Sequence, residues 1–336
     1  MNGGRLLEVR NLAVEFPTRR GALRALDGVS FDIAAGEILG VVGESGAGKS
    51  LTGAAIIGLL DPPARLCGGQ VMLEGERIDG LPPRAMRQLR GKRIGAIFQD
   101  PLAALNPLQT VGHQLVETLR THLPLDGEAA RVRAIDLLRQ TGIPAPEHRM
   151  GQYPHEFSGG MRQRVVIALA LAAEPRLVIA DEPTTALDVA VQAQIIALLK
   201  QLSQSHGTAV MLITHDMGVI AQTCDRVAVM YAGRIVEIGP VRTLIDQPAH
   251  PYTAGLMASV PTLTEDTERL AQIDGTAPRL DAIPSGCAFH PRCPKASERC
   301  RLERPELALV GRTRAACWWP ITVAPPATAA AHGAGR

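Results

Sequence analysis

Aromatic residues are scarce in this chain: three tyrosines, five phenylalanines and two tryptophans make up 3% of 336 residues. That argues against a platform that stacks nucleic-acid bases. No charge of either sign dominates. Lys and Arg number 35 against 33 Asp and Glu, a net charge of +2, so the basic footprint of a nucleic-acid binder is missing. No run of about 18 apolar residues occurs, and no transmembrane helix is expected. Met1–Arg10 lacks the apolar stretch of a secretory signal, which makes the cytosol the default location. There is no internal repeat. What remains is ordinary soluble material, 46% hydrophobic and 20% charged, which excludes wholesale disorder. At ~150 residues per domain the length fits about two domains.

The hydrophobic pattern changes along the chain. Residues 6–16 and 25–33 alternate as antiparallel strands do, with a second meander near 70–78. Short apolar runs at 38–42, 93–98, 177–180 and 209–213 read as buried strands. Helical patterns fall between them, at 50–60, over much of 110–149, at 165–173 and at 191–205. Asp61-Pro62-Pro63 is the expected stop of the first helix. Strands alternating with helices define an α/β class with a mainly parallel sheet. Near residue 240 the rhythm ends. One helix is expected at 248–260, then a Pro-rich, Cys-containing stretch, then an Ala/Pro/Gly-rich tail (321–336) expected to be disordered.

Two motifs carry chemistry. Gly43-Glu44-Ser45-Gly46-Ala47-Gly48-Lys49-Ser50 fits G-x-x-x-x-G-K-[ST] between a strand and a helix, with Leu51 continuing the helix. The glycines let backbone N–H groups wrap phosphates, and the helix N-terminus adds positive potential. Lys49 is the candidate for the β- and γ-phosphates and Ser50 for Mg2+. Leu177-Val178-Ile179-Ala180 then delivers Asp181 and Glu182 to the carboxyl edge of the sheet. Asp181 is the candidate on the Mg2+ side and Glu182 the candidate that polarises the attacking water.

With these residues the chain resembles the ATP-binding cassette (ABC) ATPases. Phe157-Ser158-Gly159-Gly160-Met161 resembles their signature, with Phe98-Gln99-Asp100 as Q-loop, Ala186-Leu187-Asp188 as D-loop and Thr214-His215-Asp216 as switch. The motifs stand in the family's order. The resemblance implies a P-loop NTPase core with an N-terminal antiparallel β-subdomain and an inserted helical subdomain at about 100–165, within a nucleotide-binding domain of residues 1–240. It implies that Ser158, Gly159 and Gly160 bind the γ-phosphate of ATP held by an opposite subunit. By the same resemblance Asp188 and His215 belong to the nucleotide site, Gln99 joins the metal site to the membrane-facing surface, and Phe16 is the candidate to stack on adenine. Met161 departs from the usual glutamine and cannot donate a hydrogen bond. The Phe…Met form is similar to the peptide- and nickel-import branch.

Beyond residue 240, His250-Pro251-Tyr252-Thr253 and the Cys287–Cys293 stretch resemble the extension of oligopeptide and dipeptide importer ATPases. Cys287, Cys293, Cys300 and Cys317 are spaced C-x5-C-x6-C-x16-C. Four thiolates suit a [4Fe–4S] cluster or zinc. The spacing lacks tight zinc pairs, and the resemblance favours the cluster, with zinc, free thiols and disulfides as alternatives. Cys67 and Cys224 read as ordinary apolar or loop residues. The family reading implies a peripheral ATPase on the cytoplasmic face of the membrane. Its partners would be a related second ATPase, two permease subunits and an extracytoplasmic binding protein. The cargo expected is a peptide, or else nickel or another small solute. A soluble ABC ATPase acting on nucleic acid or ribosomes is the rival class, and the near-zero charge disfavours it.

Overall fold

The computed structural model describes residues 4–19, 21–185, 187–259 and 272–321. Residue 260 and all but the first residue of the tail expected to be disordered lie outside the described residues. In chain order the strands are β1 (Arg5–Thr18), β2 (Gly21–Ala34), β3 (Ile38–Val42), β4 (Arg65–Leu73), β5 (Glu76–Arg77), β6 (Ile94–Ile97), β7 (Leu177–Asp181), β8 (Ala209–Ile213), β9 (Arg226–Tyr231), β10 (Arg234–Pro240), β11 (Ala308–Val310) and β12 (Thr313–Ala315). They form a four-stranded sheet in the order β2-β1-β4-β5 and an eight-stranded sheet in the order β11-β12-β10-β9-β3-β8-β7-β6. The first is antiparallel throughout. In the second, β6, β7, β8, β3 and β9 run parallel.

The apolar runs of the parallel strands are continuous because both faces are covered. Leu39 and Val41 pack toward the antiparallel sheet, while Ile38 and Val42 point into the helical side. Leu177 and Ile179 divide from Val178 and Ala180 in the same way, as do Met211 and Ile213 from Val210 and Leu212. This is the period of two that a strand imposes. On the helical side Val111, Leu115 and Leu119 form one buried stripe of Val111–His122. Thr110 and Asp126 cap Val111–His122 and Gly127–Gln140, accepting from His113 N and Ala129 N.

Two local readings change. The helix after the phosphate loop is Lys49–Ile56, ending before Asp61-Pro62-Pro63. Gly58, at φ +63°, sits just past its end in the left-handed conformation that stops helices. The β9–β10 hairpin was not anticipated. Its turn, Ala232-Gly233, has φ of 47° and 76°, the primed geometry that tight hairpins need.

The segment after residue 240 continues the main sheet. β12 pairs with β10, placing Ala315 opposite Glu237 and Arg314 opposite Ile238. Glu237 is fully buried. Its carboxylate accepts from the backbone N–H of Ala249 and of His250, both at 2.8 Å, and from Thr313 Oγ1 at 3.3 Å. Tyr231 from β9 meets Tyr252 at 4.6 Å and Phe289 at 5.3 Å between ring centroids. The extension therefore shares the core of the cassette through one buried acid and one aromatic cluster.

Candidate functional site

The phosphate loop joins β3 to Lys49–Ile56. Gly43 has φ +151°, and a Cβ there would lie 2.2 Å from the Met230 carbonyl oxygen. Gly48, at φ +102°, precedes the helix. Only glycine fits both positions. Lys49 is 7% exposed, and its Nζ donates to the Gly43 and Glu44 carbonyls at 2.9 and 3.1 Å. Burial lowers the pKa of Lys49, while Glu182 and Asp181 pull it back up. The ammonium thus sits within the loop, held by charge-assisted hydrogen bonds to its carbonyls.

Asp181 and Glu182 end β7 beside this loop. Ser50 Oγ donates to Asp181 Oδ1 at 3.0 Å, which unites two of the residues expected to hold Mg2+. Burial raises the pKa of Asp181, with the Ser50 hydrogen bond opposing. A divalent cation at this pair would supply the charge that favours the ionised form. Glu182 has φ +45°, a conformation costly for a side-chain-bearing residue and frequent at functional sites. Its Oε2 accepts from Gln99 Nε2 and from Thr185 Oγ1, both at 2.9 Å, and its Oε1 lies 3.3 Å from His215 Nδ1. Burial pushes the Glu182 pKa up, but the Thr185 and His215 hydrogen bonds and nearby positive charge outweigh it and hold it below the usual value. A carboxylate kept ionised between a glutamine and a histidine is equipped to orient and polarise a water.

Gln99, expected around Mg2+ with Ser50 and Asp181 and also among the catalytic residues, donates its Nε2–H to Glu182. Thr185 was missed. Its only signal in sequence is its place three residues after Glu182. Phe16 lines a cleft of about 430 Å3 that also contains Ser50, Leu51 and Asp181, so it reaches the neighbourhood of the loop.

Ser158 is the N-cap of Gly159–Leu171, accepting from Met161 N at 3.4 Å. Asp188 caps Val189–His206, accepting from Val191 N at 2.9 Å. A Cβ on Gly160 would lie 2.7 Å from Val191, so the signature and the D-loop helix abut. Among the described residues, no hydrogen bond links Ser158 to the phosphate loop.

No disulfide links any of the six cysteines. Cys67 is exposed, and Cys224 is buried beside Gly40. Cys287, Cys293, Cys300 and Cys317 line one small pocket with His250, His290, Trp318 and Trp319. Burial pushes the Cys287 and Cys293 thiols up, and Cys317 up to about 11, with neighbouring sulfurs adding repulsion. His250 Nδ1 accepts from Tyr252 N–H, which leaves the ring proton on Nε2. That Nε2 is buried without a partner. Among the described residues, no group of three or more His, Cys, Asp or Glu is arranged to hold a metal ion.

A phosphate loop, an Asp-Glu strand end, a glutamine and a histidine at one edge of a parallel sheet define a P-loop ATPase of the cassette type. The ABC transporter family profile matches residues 26–185, and the oligopeptide/dipeptide transporter C-terminal region matches 236–300. The oligopeptide transport ATP-binding protein OppD of Bacillus subtilis is 53% identical over 85% of this chain and 80% of its own length. The dipeptide transport ATP-binding protein DppD of Escherichia coli is 44% identical over 94% of this chain and 97% of its own. Among solved structures, the dimeric ATP-binding cassette MJ0796 bound to ADP and phosphate superposes with a TM-score of 0.64. It is 29% identical and covers 70% of this chain and 99% of its own. CbiO1 of Clostridium perfringens, part of an ABC transporter complex, gives 0.63 at 29% identity, covering 73% of this chain and 92% of its own. The chain belongs to the ABC transporter ATP-binding subunits, in the branch that carries the oligopeptide/dipeptide C-terminal region. It is an ATPase. No helix among the described residues is long and apolar enough to cross a membrane.

Proposed function

We propose that this chain hydrolyses ATP to power import of di- and oligopeptides through separate membrane-spanning permease subunits. An extracytoplasmic protein supplies the peptide. The observation that carries the reading is the Glu182 carboxylate, held by Gln99, Thr185 and His215 beside the Ser50–Asp181 pair. In this reading residues 1–240 are the cassette, with its helical subdomain at about 100–165, and 241–320 the extension. Gly43 to Leu51 cradle the phosphates, Lys49 neutralises them, and Ser50, Asp181 and Gln99 hold Mg2+, with Gln99 joining that site to the membrane-facing surface. Mg2+ supplies charge neutralisation on the β- and γ-phosphates. Glu182 accepts a proton from the attacking water as His215 orients it. Phe16 stacks on adenine.

Ser158, Gly159, Gly160 and Asp188 serve the nucleotide of a second, related ATPase subunit. Ser158 sits at a helix start whose free N–H groups suit an anion. ATP then closes two cassettes head-to-tail on the cytoplasmic side of the membrane, and the products let them part.

The four extension cysteines hold a [4Fe–4S] cluster, whose contribution is a structural cross-link. Mutually repelling sulfurs would gain from a metal. A cluster takes ligands set wider than the ~3.8 Å between thiolates that a 2.3 Å zinc–sulfur bond demands. The test of the main reading is ATP-dependent uptake of labelled dipeptide into vesicles carrying the complete transporter. Uptake should vanish with Glu182→Gln. Vesicles that accumulate no peptide, yet show ATPase stimulated by another solute, would overturn the cargo assignment.

A further inference from the structure

The extension reaches into the phosphate loop at one residue, Glu44. The Glu44 backbone N–H donates to Tyr252 Oη at 2.9 Å. Its carboxylate receives a two-pronged contact from Arg292, Nη1 to Oε2 at 2.8 Å and Nη2 to Oε1 at 3.0 Å. The Arg292 side chain is only 8% exposed. Its remaining donors are tied to the carbonyls of Asp274, Ile273 and Gly275 and to Tyr231 Oη. The guanidinium also lies about 6 Å from the ring centres of Tyr231 and Phe289. A cation so completely held has one geometry, and it imposes that geometry on the carboxylate it grips.

We propose that Arg292 is a positioning residue for ATP binding. It neutralises and anchors Glu44, so that the extension holds the phosphate loop in its binding shape. The need is electrostatic. Glu44 places a negative charge within a loop built to receive a polyphosphate, and without Arg292 that charge opposes the ligand. Tyr252, fully buried, fixes the same residue through its backbone.

The inference rests on the phosphate loop being the ATP cradle. The test is equilibrium binding of a fluorescent ATP analogue to the full-length chain, with thermal melting as a folding control. Arg292→Ala should weaken binding on the order of 10-fold, the scale of one charge-assisted contact. Adding Glu44→Gln to Arg292→Ala should restore most of the lost affinity, because the opposing charge is gone. A purely structural role for Arg292 would show no such rescue. Lys49→Ala run alongside separates the two layers. If Lys49→Ala leaves affinity intact, the cradle assignment fails. If Lys49→Ala loses binding but Arg292→Ala does not, or if Glu44→Gln gives no rescue, the positioning role is overturned.

Discussion

At the scale of single residues the site divides into holders and actors. Lys49 is the proposed phosphate holder, and its Nζ donates to two loop carbonyls at 2.9 and 3.1 Å. Lys49→Ala removes a charged donor worth about 1.5–3 kcal/mol, so ATP affinity should fall about 10- to 100-fold. Direct nucleotide titration checks this, and unchanged affinity would take Lys49 out of the ligand shell. Glu182 acts. Glu182→Gln keeps the side chain's size and the contacts with Thr185 and Gln99 in altered form, but loses the proton acceptor. ATP binding should survive while turnover drops by ~10²- to 10⁴-fold. Wild-type turnover of that variant in the assembled transporter would remove Glu182 from its role. The pKa of Glu182 lies below the usual carboxylate value. It therefore stays ionised as pH falls through 6 and 5, and any activity loss there arises from another group. A rate profile that tracks a Glu182-dependent step in that window would contradict the assignment.

At the scale of elements, what the sequence revealed and what it hid have physical causes. The parallel strands were legible because burial on both faces writes them as continuous apolar runs, as in Leu177–Ala180. The phosphate loop was legible because Gly43 and Gly48 are compelled by backbone geometry. The β9–β10 hairpin was hidden because its turn is Ala232-Gly233, without the asparagine or aspartate that usually marks it. The link from Arg292 to Glu44 was hidden by their separation of 248 residues in the chain. Glu237 was hidden for a related reason: nothing in a strand sequence marks an acid that serves as an interior acceptor. Glu237→Ala should leave the Ala249 and His250 amides unsatisfied and cost about 3 kcal/mol or more. Hydrogen exchange at those two amides should rise sharply. Protection equal to wild type would mean the extension is anchored without it. Ser158 makes the opposite case, a residue legible by motif whose own chain gives it only a cap. Ser158→Arg should spare ATP binding by the isolated chain and impair hydrolysis by the assembled pair. Equal loss of binding in the isolated chain would contradict a head-to-tail arrangement.

At the scale of the whole molecule the extension is joined to the cassette at several places. β12 lies on β10, Glu237 binds the chain near His250, and Arg292 grips Glu44. Among its described residues it has no hydrophobic cluster separate from the cassette's. Cys287 and Phe289 pack against the cassette's helical-side core, and the stretch carrying the other cysteines has short elements only, the five-residue helix Glu298–Leu302 and two three-residue strands. Segments so short do not hold shape by burial alone. In the proposed reading, cross-linking four thiolates through one inorganic centre would add free energy, because a centre that binds only the folded arrangement stabilises it. Protein purified without oxygen should then contain iron and acid-labile sulfide in equal amounts, about four of each per chain, and a broad visible absorption near the charge-transfer region of iron–sulfur centres. Cys293→Ser should lose that absorption and make residues 272–321 more susceptible to proteolysis while the cassette stays resistant. Stoichiometric zinc in a colourless protein would replace the cluster with a single ion. A metal-free protein whose extension resists proteolysis as well as the wild type would show that the protein–protein attachments suffice by themselves.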